Sequence, residues 1–162
     1  MNALALSALL ATCAPHVHPT TASALIAVES SGNPLAIGVV GGTLVRQPAN
    51  RSEAIATAHA LHAKGWSFSV GLGQINLGNL ARLGLTIESA FDPCTNLAAM
   101  QVVLGECFEA SPSHRSDARR LRDALSCYYS GNFSTGYRHG YVRKVVLALP
   151  TDPALPSRKE RS

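Results

Sequence analysis

The chain has 162 residues, enough for one domain with a sizeable hydrophobic core. Hydrophobic residues make up 46% of it and charged residues only 15%, a balance that indicates a folded protein and excludes an intrinsically disordered one. The formal net charge is +4, and ten of the fourteen basic residues lie beyond residue 110. A basic surface attracts polyanions, but no aromatic residues alternate with these arginines, so we expect no nucleic-acid partner.

Residues 1–12 are mostly apolar and too few to span a membrane. They fit two interpretations, the hydrophobic region of an export signal or the first helix of the domain. No positive charge precedes the apolar run, and Thr12 is a poor residue to precede a lipoprotein-type cysteine. We favour a first helix with Leu6, Leu9 and Leu10 facing the core, which leaves the export route open.

Residues 21–30 predict a helix that carries a carboxylate on its apolar side. Leu25 and Ile26 precede Glu29 by four and three residues, so the three side chains share one stripe. A carboxylate on such a stripe loses hydration, which raises its pKa, and a Glu that keeps its proton near neutral pH can act as a general acid. The segment 30–34 then breaks the helix beside Glu29. The alternative is a helix-end Glu bonded to backbone or to an arginine.

The next segment predicts a small β element followed by a helix. Residues 37–45 contain two β-branched runs on either side of a Gly-Gly pair, which is typical of a β-hairpin, here near residues 38–46. Asn50 can cap the following helix while Glu53 reaches back in a capping-box arrangement. A Lys-Gly pair at Lys64 is expected to end that helix.

Four more helices are predicted in the second half of the chain. Each has apolar residues at helical spacing: 77–83, 95–110, 116–131 and 142–149. Residues 1–149 are therefore expected to form one mainly α domain. Residues 150–162, with three prolines and a charged end, predict a disordered basic tail.

Four cysteines in a chain of this length indicate an exported protein with disulfides or a set of buried thiols. No CxxC pair and no His or Cys cluster has zinc-ligand spacing, so no metal site is expected. Cys94 and Cys107 lie on one predicted helix, roughly 19 Å apart, and a disulfide needs Cα atoms within about 7 Å. Two pairings remain if all four cysteines pair. We favour Cys13 with Cys94 and Cys107 with Cys127, because the latter two lie on consecutive helices.

Short segments between residues 13 and 146 form an ordered set. The main ones are ESSGNP at 29–34, GLGQIN at 71–76 and YYSGN at 128–132. Others are CAP at 13–15, RQP at 46–48, FDPCTNL at 91–97 and GYV at 140–142. In order and spacing the set resembles the lytic transglycosylase domain, the lysozyme-like fold that cuts peptidoglycan. More narrowly, it is similar to the VirB1-type subfamily of type IV secretion and conjugation systems.

The resemblance implies a mainly α, lysozyme-like (α+β) fold with a single catalytic residue, Glu29. In the family one Glu protonates the glycosidic oxygen of N-acetylmuramic acid, and the C6 hydroxyl of that sugar then closes a 1,6-anhydro ring. No second carboxylate and no cofactor is implied. Gly73 stands in place of the Met of the family's Gly-Leu-Met-Gln element, and Gly73, Gln74 and Asn76 are expected to contact glycan. Gln74 would offer a donor and an acceptor to the N-acetyl groups.

The resemblance also assigns aromatic residues to the site. The family's Tyr-Asn-Ala-Gly element places its Tyr, here Tyr128, where the hydroxyl can orient the carboxyl group of Glu29. Tyr129 stands where the family has Asn. Tyr141 is expected either in the far wall of the cleft or in the core. For Asn96 we favour a helix-cap network, and a contact with glycan is the alternative.

The resemblance implies a peptidoglycan lytic transglycosylase that cuts the β-1,4 bond between N-acetylmuramic acid and N-acetylglucosamine. Such an enzyme would open the wall locally for a type IV secretion or conjugation apparatus. A lysozyme-type hydrolase of the same bond and a non-catalytic glycan-binding scaffold are the alternatives. The expected partners are glycan strands and other secretion components, and we expect an exported, periplasmic monomer without a transmembrane span.

Overall fold

The computed structural model describes residues 3–150, which form a mainly helical domain with a small antiparallel sheet. The helices of that part of the chain are α1 Ala3–Cys13, α2 Pro19–Ser30, α3 Arg51–Ala63, α4 Leu77–Leu80, α5 Ile87–Ala90, α6 Pro93–Ala110, α7 Asp117–Ser130, α8 Thr135–Arg138 and α9 Tyr141–Leu147, with a 3-10 turn at Ala81–Leu83. The strands are β1 Ile37–Val39, β2 Phe68–Val70 and β3 Ile75–Asn76. The predicted mainly α fold class is confirmed. Of the predicted tail, residues 151–162 lie outside the described part.

The apolar N-terminal segment is helix α1 and belongs to the core. Leu10 is buried, and Leu6 and Leu9 pack against the buried cluster. Cys13 at the end of α1 is bonded to Cys94 at the start of α6. This disulfide ties the helix to the longest helix of the described chain.

Polar side chains cap three of the longer helices, and the predicted cap at Asn50 is one of them. The side chains of Asn50, Asp92 and Ser116 each accept a hydrogen bond from the backbone N–H three residues later, at 2.9, 2.8 and 3.3 Å. Gly131 ends α7 with a φ of 76°, a conformation that favours glycine. The predicted helix at 77–83 is made of α4 and the 3-10 turn. Helices α5 and α8, of one turn each, are additions to the prediction.

Helix α6 packs against several other elements of the fold. It contacts α1, α5, α7 and β3, and its predicted stripe is buried: Leu97, Met100, Leu104 and Cys107. Near its C-terminal end Cys107 is bonded to Cys127 of α7, with a Cα–Cα distance of 5.7 Å. The structure therefore contains both disulfides of the favoured pairing.

The predicted hairpin at 38–46 is wrong in its second strand. Strand β1 pairs with β2, with Ile37 opposite Val70, and β2 pairs in turn with β3. A turn does form after Val39, but the chain beyond it does not return as a strand. Instead the side chain of Gln47 bonds both backbone groups of Ile37, at 2.8 and 3.0 Å, and so occupies the open edge of β1.

A buried carboxylate joins α7 to its neighbours. Asp123 is fully buried, and its oxygens accept hydrogen bonds from Ser111, Arg115, Arg119 and Tyr137. Burial alone would raise the pKa of Asp123, but these bonds outweigh it and lower the pKa to about 2. The charge is therefore compensated, as a buried carboxylate requires.

Candidate active site

A cleft of about 870 Å³ lies between the sheet and helices α6 and α7. The residues that line it include Glu29, Gln74, Asn76, Tyr128 and Tyr129. A second cavity of about 360 Å³ is also lined by Glu29 and Gln74, so Glu29 borders both cavities. The volume of the larger cleft, about 870 Å³, is in the range of pockets that hold organic ligands.

Glu29 lies in the last turn of α2, as predicted. Ser31 follows the helix with a φ of 53°, so the chain turns away immediately after the carboxylate. Leu25 and Ile26 of the same stripe are buried, whereas Glu29 is half-buried at the edge of the cleft. Desolvation by burial raises the pKa of Glu29 to about 7, against the opposing effects of a hydrogen bond from Tyr141 and the charge of Lys144. The group can therefore hold a proton near neutral pH.

Tyr141 supplies the hydroxyl that binds the acid. It is the first residue of α9, it is buried, and its hydroxyl donates a hydrogen bond to Oε1 of Glu29 across a sequence separation of 112 residues. Burial and the neighbouring Glu29 raise the pKa of Tyr141 above its ordinary range, so the phenol remains a donor. Tyr141 is thus both a core residue and part of the site.

The role predicted for Tyr128 differs from its position in the structure. Its hydroxyl donates to the carbonyl oxygen of Gly73 at 2.5 Å, and the carboxyl group of Glu29 takes its hydrogen bond from Tyr141 instead. Burial raises the pKa of Tyr128 well above its ordinary value, and the nearby Glu29 adds to this effect. Tyr128 therefore lines the cleft while it holds the loop opposite the acid.

The loop at 71–76 is fastened from within by Asn96. The side chain of Asn96 accepts a hydrogen bond from the N–H of Gly73 at 2.8 Å and donates to the carbonyls of Val70 and Ala90 at 3.0 and 2.8 Å. Gly73 is buried, and an added Cβ would lie 2.9 Å from Cβ of Met100. A side chain at this position would therefore clash with the core, and the contact of Gly73 with glycan remains a prediction.

Gln74 faces the cleft from a left-handed backbone conformation, with a φ of 50°. Its Nε2 donates to the carbonyls of Ala36 and Gly71, each at 3.1 Å, which uses both amide hydrogens. Oε1 accepts no hydrogen bond from any residue between 3 and 150. The amide hydrogens are thus used within the described chain and Oε1 is not, and the contact of Gln74 with glycan remains a prediction.

Asn76 lines the cleft but serves the fold as well. Its Oδ1 accepts from the N–H of Gly78 at 3.0 Å and caps α4, and its Nδ2 lies 3.3 Å from the hydroxyls of Ser67 and Ser69. These bonds hold the amide against β2. Its contact with a ligand remains a prediction.

Glu106 is the other carboxylate in the lining of the cleft. Arg82 binds both of its oxygens, at 3.1 and 2.9 Å, and about half of the Glu106 side chain is exposed. No group of three or more His, Cys, Asp or Glu side chains within residues 3–150 is placed to hold a metal ion. Among the described helices, none has both the length and the apolar character needed to cross a membrane.

Sequence reasoning did not assign the contact between Tyr141 and Glu29 or the part played by Asn96 in holding the loop. Both depend on tertiary distances between separate segments. The short GYV run at 140–142 was the available signal for Tyr141. It marked the position without indicating the hydrogen-bond partner.

Comparison with known proteins identifies the family. The family model "Transglycosylase SLT domain" matches residues 8–144. The type IV secretion system protein virB1 of Brucella abortus biovar 1 (strain 9-941) is 48% identical over 145 residues, 84% of this chain and 60% of that protein. Protein virB1 of Agrobacterium fabrum (strain C58 / ATCC 33970) is 38% identical over 138 residues, 84% of this chain and 56% of that protein. The chain thus spans less than two thirds of these relatives, and no solved structure matches it.

Proposed function

The chain belongs to the transglycosylase SLT family, and on that premise we propose that it is a peptidoglycan lytic transglycosylase with Glu29 as its catalytic acid. The observation that supports this most directly is the carboxyl group of Glu29, whose pKa is raised to about 7 inside a cleft of about 870 Å³. A general acid works best when its pKa lies near the working pH. The cleft offers room for several sugar rings around that proton.

In the proposed reaction Glu29 donates its proton to the glycosidic oxygen between N-acetylmuramic acid and N-acetylglucosamine. The carbon–oxygen bond breaks as the leaving sugar takes the proton, and the anomeric carbon becomes electron-deficient. The C6 hydroxyl of the muramic acid then attacks that carbon and returns its proton to the Glu29 carboxylate. The product ends in a 1,6-anhydro ring, no water is consumed, and the acid is regenerated.

A single acid is consistent with the charges around the cleft. Hydrolases of this bond usually place two carboxylates on either side of it. Glu106, the second carboxylate of the lining, is bound on both oxygens by Arg82. The hydrogen bond from Tyr141 favours the carboxylate that remains after proton transfer, so this contact assists the first half of the reaction, in which Glu29 gives up its proton.

The names of the relatives suggest a cellular role. Both relatives described above are virB1 proteins, one of them named for a type IV secretion system. By that analogy the protein opens the wall locally where a secretion or conjugation channel is assembled, in the periplasm. The two disulfides agree with an oxidising compartment.

The test is cleavage of purified peptidoglycan by the parent and by Glu29→Gln, followed by mass analysis of the fragments. The parent should release fragments that end in anhydro-muramic acid, each lighter by one water than a hydrolase product. Glu29→Gln should lose activity by at least about a hundredfold, since general acid catalysis contributes roughly 10²–10⁴ in rate. Hydrated ends would identify a lysozyme-type hydrolase, and an inactive parent that still binds glycan would identify a scaffold.

A further inference from the structure

Tyr129 is a large aromatic side chain that stays exposed inside the cleft. It is 45% exposed, although the neighbouring Tyr141 is buried and Tyr128 half-buried. It also lines the cavity of about 870 Å³ together with Glu29. Exposed aromatic surface in a concave site is typical of ligand contact, because it gains free energy when a ligand displaces water from it.

The ring of Tyr129 is held in one orientation before any ligand arrives. It stacks on the ring of Tyr141, with centroids 4.5 Å apart and planes 18° apart. Its hydroxyl lies 3.2 Å from Nδ1 of His139, and the imidazole also meets the ring edge at a centroid distance of 5.9 Å. A side chain restrained in this way loses little conformational entropy on binding.

The stacked pair connects the exposed ring to the acid. The hydroxyl of Tyr141 binds Glu29, and Tyr129 lies against the ring of the same Tyr141. A ligand that covers Tyr129 would therefore sit in the part of the cleft next to the proton of Glu29. The flat, apolar surface of the phenol ring matches the C–H groups that a pyranose ring presents on its face.

We propose that Tyr129 is a sugar-binding residue on whose ring one pyranose of the glycan strand stacks beside Glu29. The proposal rests on the proposed function, because it takes the ligand to be a glycan. It also assigns a use to the position at which the family's element has Asn. The ring makes the contact with the sugar, and the hydroxyl holds the ring in place through its hydrogen bond with His139.

The experiment measures glycan affinity in a background that cannot cleave. The protein carries Glu29→Gln, and the probe is soluble, peptide-free glycan strands released from purified peptidoglycan by an amidase, titrated by calorimetry. In this background Tyr129→Phe keeps the ring, Tyr129→Leu keeps apolar bulk without a flat face, and Tyr129→Trp enlarges the face. We expect Tyr129→Phe to bind the strands with an affinity within about twofold of the protein that keeps Tyr129. Tyr129→Trp should bind them at least as tightly, and Tyr129→Leu roughly tenfold more weakly.

A second readout separates binding from mere support of Tyr141. With Glu29 restored, Tyr129→Leu should raise KM for glycan and leave the alkaline limb of the pH profile where the parent has it. A limb that moves while affinity stays unchanged would show that Tyr129 only supports Tyr141, and would overturn the proposal. Equal affinities for the Leu and Phe variants would also overturn it, with the proposed function intact. If the Glu29→Gln variant without any second substitution fails to bind the strands, both this proposal and the proposed function are refuted.

Discussion

Replacing Glu29 by Gln should stabilise the protein increasingly as pH rises, because the amide removes a buried group that has to ionise. Burial raises the pKa of Glu29 from 4.5 to about 7, so within this window the folded chain keeps a proton that the unfolded chain has released. The free energy of unfolding of the parent therefore falls between these pH values, and the variant lacks that loss. At about 1.36 kcal/mol per pKa unit the full effect is about 3 kcal/mol, which partial solvent exposure reduces to about 2 kcal/mol.

Urea unfolding of parent and variant, with the disulfides intact, measures this difference at about pH 4.5 and about pH 8. The advantage of Glu29→Gln should grow by about 2 kcal/mol between the two, or roughly 4–8 °C in Tm. Glu109→Gln is the matched control, because the side chain of Glu109 is 80% exposed, and its effect should stay within about 0.5 kcal/mol. An advantage of the Glu29 variant that is the same at both pH values would refute the reasoning.

Three further substitutions test the contacts around the site. Tyr141→Phe removes a hydrogen bond that lowers the pKa of Glu29, so the alkaline limb of the pH profile of turnover should move to higher pH. Tyr128→Phe leaves the carbonyl of Gly73 without its donor and should lower the free energy of unfolding by about 1–3 kcal/mol, with a smaller effect on that limb. Asp123→Asn breaks buried ion pairs and should lower the free energy of unfolding at neutral pH by about 3–5 kcal/mol.

Each expectation has a result that would contradict it. A limb that moves to lower pH in Tyr141→Phe would mean that the phenol does not favour the carboxylate. Unchanged stability of Tyr128→Phe would mean that the carbonyl of Gly73 finds another donor. For Asp123 the folded pKa of about 2 lies below the ordinary 3.8, so its contribution is present above pH 3.8 and is lost as pH falls towards 2. A parent–variant difference that is as large at about pH 2 as at neutral pH would contradict that account.

The local features of the chain were predictable because they depend on residues close in sequence. The caps at Asn50, Asp92 and Ser116 each use a backbone group three residues away. The stripe that carries Glu29 follows from the helical period alone, and it correctly indicated a partly buried carboxylate. The excluded Cys94–Cys107 bridge likewise followed from the rise of one helix. The ordered motifs then identified the family.

The pairing of strand β1 depended on a competition that the local pattern does not show. Residues 37–45 have the composition of a hairpin, and a turn follows Val39. Strand β2, from beyond α3, nevertheless takes one edge of β1, and the amide of Gln47 takes the backbone groups of Ile37. Both partners were outside the window in which a hairpin is recognised.

The sequence by itself determined the longer helices, the family and the position of the acid, since helical period and motif order are local or linear properties. Only the tertiary structure decided which tyrosine binds that acid. Tyr128 and Tyr141 both come from helices that pack near Glu29, yet the hydroxyl of Tyr128 reaches the carbonyl of Gly73 and that of Tyr141 reaches the carboxyl group. The choice depends on how α7 and α9 are placed against α2, because a hydrogen bond tolerates only a few tenths of an ångström.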